Sequence, residues 1–284
     1  MQAGQAVTEV VICADDYAMT PEISAGIIAL AQQGRISATS AMTLSPHWPQ
    51  WGRQVSALQH KIDVGLHLDW TSDFALQQGF GQALGPLMLR SLLRRLDRQA
   101  VAGQIERQLD LFEQHAGTVP DHIDGHQHVH QFPVLREALV EVLTRRYPSG
   151  QRPWLRVAQV ACKPWNLKAQ VINAMGARAL RALAEQHGLP HSEHLTGVYD
   201  FSGDTDGYRQ QLQGWLGHLP PAAVLMCHPA QGVNPEAPFP HARIREQDVL
   251  SHPALEALLR EQRVRIVRGS QLFARPAHPL TASA

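Results

Sequence analysis

The chain has 284 residues, and its 25 lysines and arginines balance 25 aspartates and glutamates, giving a formal net charge of zero alongside 16 histidines. That balance removes the electrostatic case for nucleic acid or an anionic membrane as partner and favours a small, mostly neutral ligand. The N-terminal stretch MQAGQAVTEVVICADDY lacks a basic leader, and its apolar run is too short for a signal peptide or a membrane span, so a cytoplasmic protein with no membrane span is expected.

Apolar runs and amphipathic stretches then alternate along the chain. TEVVICAD reads as a buried strand. TPEISAGIIALAQQG follows as a helix, with Thr20 as N-cap, Pro21 at the first helical position, Gly34 just past the end, and Ile23, Ile27, Leu30 and Ala31 on one face. ISATSAMTL is a second strand, WPQWGRQVSALQ a short helix and IDVGLHLDW a third strand. Residues 71–87 contain several glycines and no clear period, which predicts a long loop over one end of a sheet. One helix is expected through SLLRRLDRQAVAGQIERQLDLFEQH, then a strand in DHIDGHQHVH and a helix in PVLREALVEVLTRR.

Beyond that point PWLRVAQV, AAVLMCH and VRIVR read as strands. KAQVINAMGARALRALAEQHG, GYRQQLQGWLGHL and PALEALLREQ read as helices. Asp204 or Asp206 is expected to cap the second of these helices. No repeat or linker marks a boundary, so one catalytic domain over residues 1–284 is expected, with a flexible tail from about 275 to 284. About seven strand–helix units favour a closed or nearly closed parallel (β/α) barrel over an open sheet. Both layouts put the working residues at the C-terminal strand ends. Cys13, Cys162 and Cys227 form no C-x-x-C pair and read as reduced core residues.

Four places at strand ends carry chemistry: Asp15 and Asp16, His67, the His122–His130 cluster, and His228. Adjacent carboxylates beside a core repel unless a cation offsets them, and with Thr20 already filling the cap position, a capping role for Asp16 is weakened. His67 is either a hydrogen-bonded core residue or a ligand. In HIDGHQHVH the histidines fall at alternate positions, and an extended strand would set such neighbours roughly 6–7 Å apart on one face. At most one or two can reach one ion, so His122 and His130 are read as hydrogen-bonded or exposed neighbours. Two histidines and a carboxylate from different strands leave positions open, as a catalytic metal requires. His228, followed by Pro229, is a turn residue or a general acid. No nucleophile elbow, P-loop or dinucleotide fingerprint is present.

Taken together, ADDYAMTPEISAGIIALAQQGRISATSAM, VGLHL, HIDGHQHVHQFP and CHP resemble, in order and spacing, the YdjC-like carbohydrate deacetylases, which include chitooligosaccharide and hopanoid-associated deacetylases. The resemblance implies a distorted (β/α) barrel akin to the polysaccharide deacetylases and metal-dependent removal of acetyl from an N-acetylated sugar. It implies Asp16, His67 and His126 as metal ligands, Asp15 as base and His228 as acid. Asp124 and His128 would be second-layer or substrate-facing residues. Arg156 would either hold Asp15 ionised by an ion pair or serve as a surface or structural arginine. Tyr17 and Ala18 stand where the family usually has Phe-Gly, and Gly125 and Gln127 where the sugar deacetylase often has Ser and His, which bears on the substrate. The expected cofactor is one divalent ion, zinc or magnesium, and a homo-oligomer is left open. Two rivals use the same residues: a non-haem Fe(II) oxygenase, whose facial triad sits on antiparallel β folds, and a non-enzymatic binding protein clipped by a metal.

Overall fold

The computed structural model describes residues 7–160, 170 and 172–273. Cys162, the first part of the helix expected over 168–188, and the tail expected from about 275 lie outside them. Among the described residues, eight parallel strands form one sheet: β1 (Thr8–Tyr17), β2 (Ala38–Ala41), β3 (Asp63–Leu68), β4 (His122–Gly125), β5 (Trp154–Leu155), β6 (His194–Thr196), β7 (Ala223–Cys227) and β8 (Val264–Ile266). Their order is β5-β4-β3-β2-β1-β7-β6. β7 takes one edge of β1; the other edge is shared by β8, along Thr8–Val10, and β2, along Cys13–Tyr17. Beyond β5 the chain touches β6 and the residues before it through two parallel bridges, Leu155 to His191 and Val160 to Leu195, so the ends of the sheet meet as an irregular seam. This is the nearly closed parallel (β/α) barrel expected from the alternation, distorted as the family resemblance implies.

The helices are α1 (Pro21–Gln32), α2 (Trp48–Val55), α3 (Asp73–Gln77), α4 (Leu84–Leu92), α5 (Arg98–Ala116), α6 (Leu135–Arg146), α7 (Arg178–Gln186), α8 (Thr205–Gly217), α9 (Pro240–Ser251), α10 (Ala254–Glu261) and α11 (Gly269–Leu272). Helix α1 starts as its sequence dictates: the Thr20 hydroxyl accepts from the Ile23 N–H, Pro21 is at the first position, and Ile23, Ile27, Leu30 and Ala31 are buried. Asp204, not Asp206, caps α8 by accepting from the Gly207 N–H at 2.8 Å. Cys13 and Cys227 are buried free thiols. No described helix is long and apolar enough to cross a membrane.

Several expectations are corrected. The 71–87 stretch contains α3, capped by the Ser72 hydroxyl, and the start of α4. The single helix expected after it is two, because Arg94 turns left-handed (φ 51°) and Asp97 starts a new N-terminus by accepting from the Gln99 and Ala100 N–H groups. The strand expected over 153–160 is regular for only two residues. Helix α9 was not expected at all, for a reason visible in its buried residues: beside Ala242, Val249 and Leu250 it buries Arg243, Glu246 and Gln247. A helix whose inward face is polar shows no amphipathic period.

Candidate metal centre and active site

The end of β1 builds the core of the site. In a regular strand Asp15 and Asp16 would point to opposite faces. Between Ala14 and Tyr17, however, the register with β2 shifts: Ala14 pairs with Thr39 and Tyr17 with Ala41, so both aspartates oppose Ser40 alone. This is a bulge, with Asp16 at φ 71°, and such a bulge re-aims side chains. Both carboxylates are buried, each beside its own arginine. Arg156, fully buried and therefore not a surface residue, grips Asp15 with two parallel hydrogen bonds of 2.6 and 2.8 Å. Arg243 on α9 donates to Asp16 Oδ2 at 2.5 Å.

The remaining oxygen of Asp16, Oδ1, is buried without a hydrogen-bond partner among the described residues. It lies 3.5 Å from His67 Nε2 and 3.3 Å from His126 Nδ1, and the two imidazole centroids are 5.7 Å apart. The two oxygen–nitrogen distances are close to the edge of a tetrahedron whose ligands lie about 2.0–2.1 Å from one zinc-like ion. His67 is aimed by its register partner on β4, Asp124, whose Oδ1 is 2.6 Å from Nδ1, leaving Nε2 for the centre. Such a carboxylate–histidine pair orients a metal ligand and fixes its tautomer. Burial alone would lower the His67 pKa, but Asp124 with Asp15 and Asp16 carries it up to about 9. Burial would likewise raise Asp16, yet the Arg243 guanidinium and then His126 hold it well below the usual carboxylate range. The residues thus fit a divalent ion: one orphaned carboxylate oxygen and two imidazole nitrogens converge, with Asp16 braced by Arg243 and His67 by Asp124.

Two other groupings, Cys13–His122–Asp124 and Asp15–His67–Asp124, also bring ligand-type atoms within reach of one another. Their carboxylate atoms are already engaged. Asp124 Oδ2 accepts from the Ser40 hydroxyl at 2.5 Å and pairs with Arg156 at 3.1 Å, and both Asp15 oxygens are on Arg156. The triad of Asp16, His67 and His126 is the grouping whose carboxylate oxygen is left over.

The histidine cluster divides by backbone. β4 ends at Gly125, and His126–Gln131 form a 3₁₀ turn with Gln127 and His128 left-handed, so the alternation expected from an extended strand does not hold. His122 is structural. Its ring stacks on Trp154 at 4.4 Å, its Nε2 is 3.0 Å from the Ser40 hydroxyl, and a Cβ at Gly65 would lie 2.4 Å from the ring, which is why β3 needs glycine there. His130 is also buried, with Nε2 2.7 Å from the Arg156 carbonyl, and burial lowers its pKa to about 4. His128 is partly buried, its Nδ1 enclosed without a partner, and burial followed by Arg156 pushes it well below the imidazole range. The hydrogen-bonded reading of His122 and His130 holds.

His228 stands on the other flank of Asp15, its Nε2 3.9 Å from Oδ2. Burial pushes its pKa down to about 4 despite both aspartates, so its resting state is the neutral imidazole. Its backbone N–H donates to Glu246 Oε2 at 2.6 Å, and Glu246 also accepts from the Tyr199 hydroxyl at 2.6 Å. Arg243 and Glu246, one turn apart on α9, therefore brace the Asp16 carboxylate and the His228 backbone from one helix. Neither was among the residues expected from sequence, and the one available signal, charged residues on a helix lacking an amphipathic stripe, is weak.

Comparison with known proteins identifies the family. The family model described as YdjC-like protein matches residues 9–261. The human carbohydrate deacetylase is 25% identical over 287 residues, spanning 90% of this chain and 88% of that one. The chitooligosaccharide deacetylase of Serratia marcescens is 26% identical over 266 residues, spanning 89% and 94%. The crystal structure of an Enterococcus faecalis V583 protein named for cellobiose-phosphate cleavage superposes with a TM-score of 0.71 at 19% identity, covering 94% of this chain and 100% of that one, a likeness of fold. With the family model covering nearly the whole described chain, the protein belongs to the YdjC-like family.

Proposed function

We propose that the protein is a metal-dependent hydrolase that removes the acetyl group from an N-acetylated sugar or oligosaccharide, releasing acetate and a free amino sugar. The observation that carries this reading is the orphaned Asp16 Oδ1 converging with His67 Nε2 and His126 Nδ1, flanked by an arginine-held carboxylate and an imidazole. Asp16, His67 and His126 would hold one divalent ion, zinc or magnesium. Bound there, the ion would lower the pKa of a water and draw off charge developing on the acetamide oxygen.

The chain's own residues supply the proton traffic. Asp15, fixed by the Arg156 fork, accepts the water's proton. His228, neutral at rest with Nε2 3.9 Å from Asp15 Oδ2, receives that proton by way of one bridging water and delivers it to the departing sugar nitrogen, which leaves poorly as an anion. Asp124 holds His67 in register, and His128 would serve as a second-layer or substrate-facing residue. The names of the curated relatives support a carbohydrate as the acetyl carrier. The reading takes the chain as one catalytic domain.

The test is acetate release from a panel of N-acetylated mono- to tetrasaccharides, with elemental analysis of the same preparation. Chelation should abolish release, re-addition of metal should restore it, and the fold should survive chelation. Loss of the fold on chelation would favour a structural metal clip. Turnover only with iron, oxygen and an oxo-acid would favour the oxygenase.

A further inference from the structure

One wall of this site is aromatic and held in an unusual backbone. Phe201 and Phe239 stack with centroids 4.1 Å apart and planes at 18°, and Phe201 meets the His228 imidazole edge to face at 5.2 Å. Both phenylalanines are left-handed, at φ 62° and 55°. Bulky residues seldom adopt that conformation, and where they do, the surroundings must impose it, most often at ligand clamps and active sites.

Here the surroundings are identifiable. Arg245 donates to the Phe201 carbonyl at 2.8 Å. Arg243 donates from Nε to the Pro238 carbonyl at 2.9 Å and from its backbone N–H to the Phe239 carbonyl at 3.1 Å, while its Nη2 holds Asp16. The loop before α9 is thus tied through one side chain to the carboxylate of the metal triad, and through ring contacts to His228. Yet Phe239 as a residue is 51% exposed. One face rests on Phe201, and the rigid frame holds the rest out to water, which an apolar ring gains nothing from by itself.

A flat partner with an apolar face and a polar rim would explain the arrangement. A pyranose ring has that form, with axial C–H groups clustered on its faces and equatorial hydroxyls turned to water. We infer that Phe239, backed by Phe201, is the platform on which a pyranose ring of the substrate lies beside His228. This rests on the deacetylase reading and adds to it the residue that recognises the sugar ring itself.

The test separates ring from backbone. Phe239→Asn deletes the ring but keeps a residue that tolerates the left-handed conformation, whereas Phe239→Trp keeps an aromatic face. Kinetics on tri-N-acetylchitotriose with metal-loaded protein, and calorimetric binding of the glucosamine trimer, which cannot turn over, are compared in both variants. In the Asn variant KM should rise and binding weaken about three- to tenfold, the scale of one aromatic contact, with kcat within about twofold and the melting temperature unmoved. Trp should restore both. Unchanged KM and binding in the Asn variant overturn the platform, as does a loss confined to kcat, which would make the pair a prop for His228. Ring-dependent binding by a protein that releases no acetate would leave the platform standing and sink the deacetylase reading. A wild-type protein that binds no trimer at all would sink the platform.

Discussion

Glu246→Gln tests the electrostatics of the α9 brace. Glu246 is fully buried, accepting from the Tyr199 hydroxyl on Oε1 and from the His228 N–H and the Tyr208 hydroxyl on Oε2. Burial raises its pKa from 4.5 to about 7, opposed by those donors and by Arg243. A carboxyl whose folded-state pKa is raised binds more protons folded than unfolded across that window. Its contribution to stability is therefore complete below about pH 4.5 and is lost as pH rises through about 7. At about 1.4 kcal/mol for each tenfold change in proton affinity, the loss is on the order of 3 kcal/mol.

Glutamine keeps the size, retains an oxygen for the His228 N–H and the Tyr208 hydroxyl, and turns its amide toward the Tyr199 hydroxyl, which can accept. The stability of Glu246→Gln relative to wild type should thus improve by on the order of 3 kcal/mol between about pH 4.5 and 8. Comparing the two proteins cancels the other titrating groups, including His67. Urea unfolding at half-unit pH steps measures the difference, provided the two m-values agree. Parallel stability curves, with the gap constant to within about 0.5 kcal/mol, would show that three donors keep Glu246 ionised throughout and that burial does not dominate.

Alanine at Asp16, His67 or His126 should lower bound metal and deacetylation together, and wild-type metal content in all three variants by plasma mass spectrometry would refute the triad. Asp15→Asn should keep the metal while cutting turnover by ~10²–10⁴-fold, whereas Asp16→Asn should also lose metal affinity; equal metal loss in both would show that the two aspartates do not divide the work as argued. His228→Ala should lose far more activity on an N-acetylated amino sugar than on 4-nitrophenyl acetate, because a phenolate leaves without a proton and a sugar amine does not. An equal drop on both substrates would leave His228 as a positioning residue.

Local sequence was sufficient for what local chemistry controls. The Thr20–Pro21 start of α1, a cap at Asp204 or Asp206 and the alternation of strand and helix follow from caps and periodicity within a few residues of each feature. The polar residues closing the strands were legible too, because parallel β/α architecture delivers strand ends to one rim. Tertiary structure decided the rest. That both aspartates face inward depends on a bulge set by the pairing of β1 with β2, and which imidazoles reach the centre depends on the 3₁₀ turn after Gly125. The brace on Asp16 comes from Arg243, 227 residues away in the chain, on a helix whose buried polar face erases the pattern that reveals helices. A periodic signal reports burial of apolar groups. It is silent where burial serves to hold charge, and in this protein that is where the arginines and carboxylates of the site are positioned.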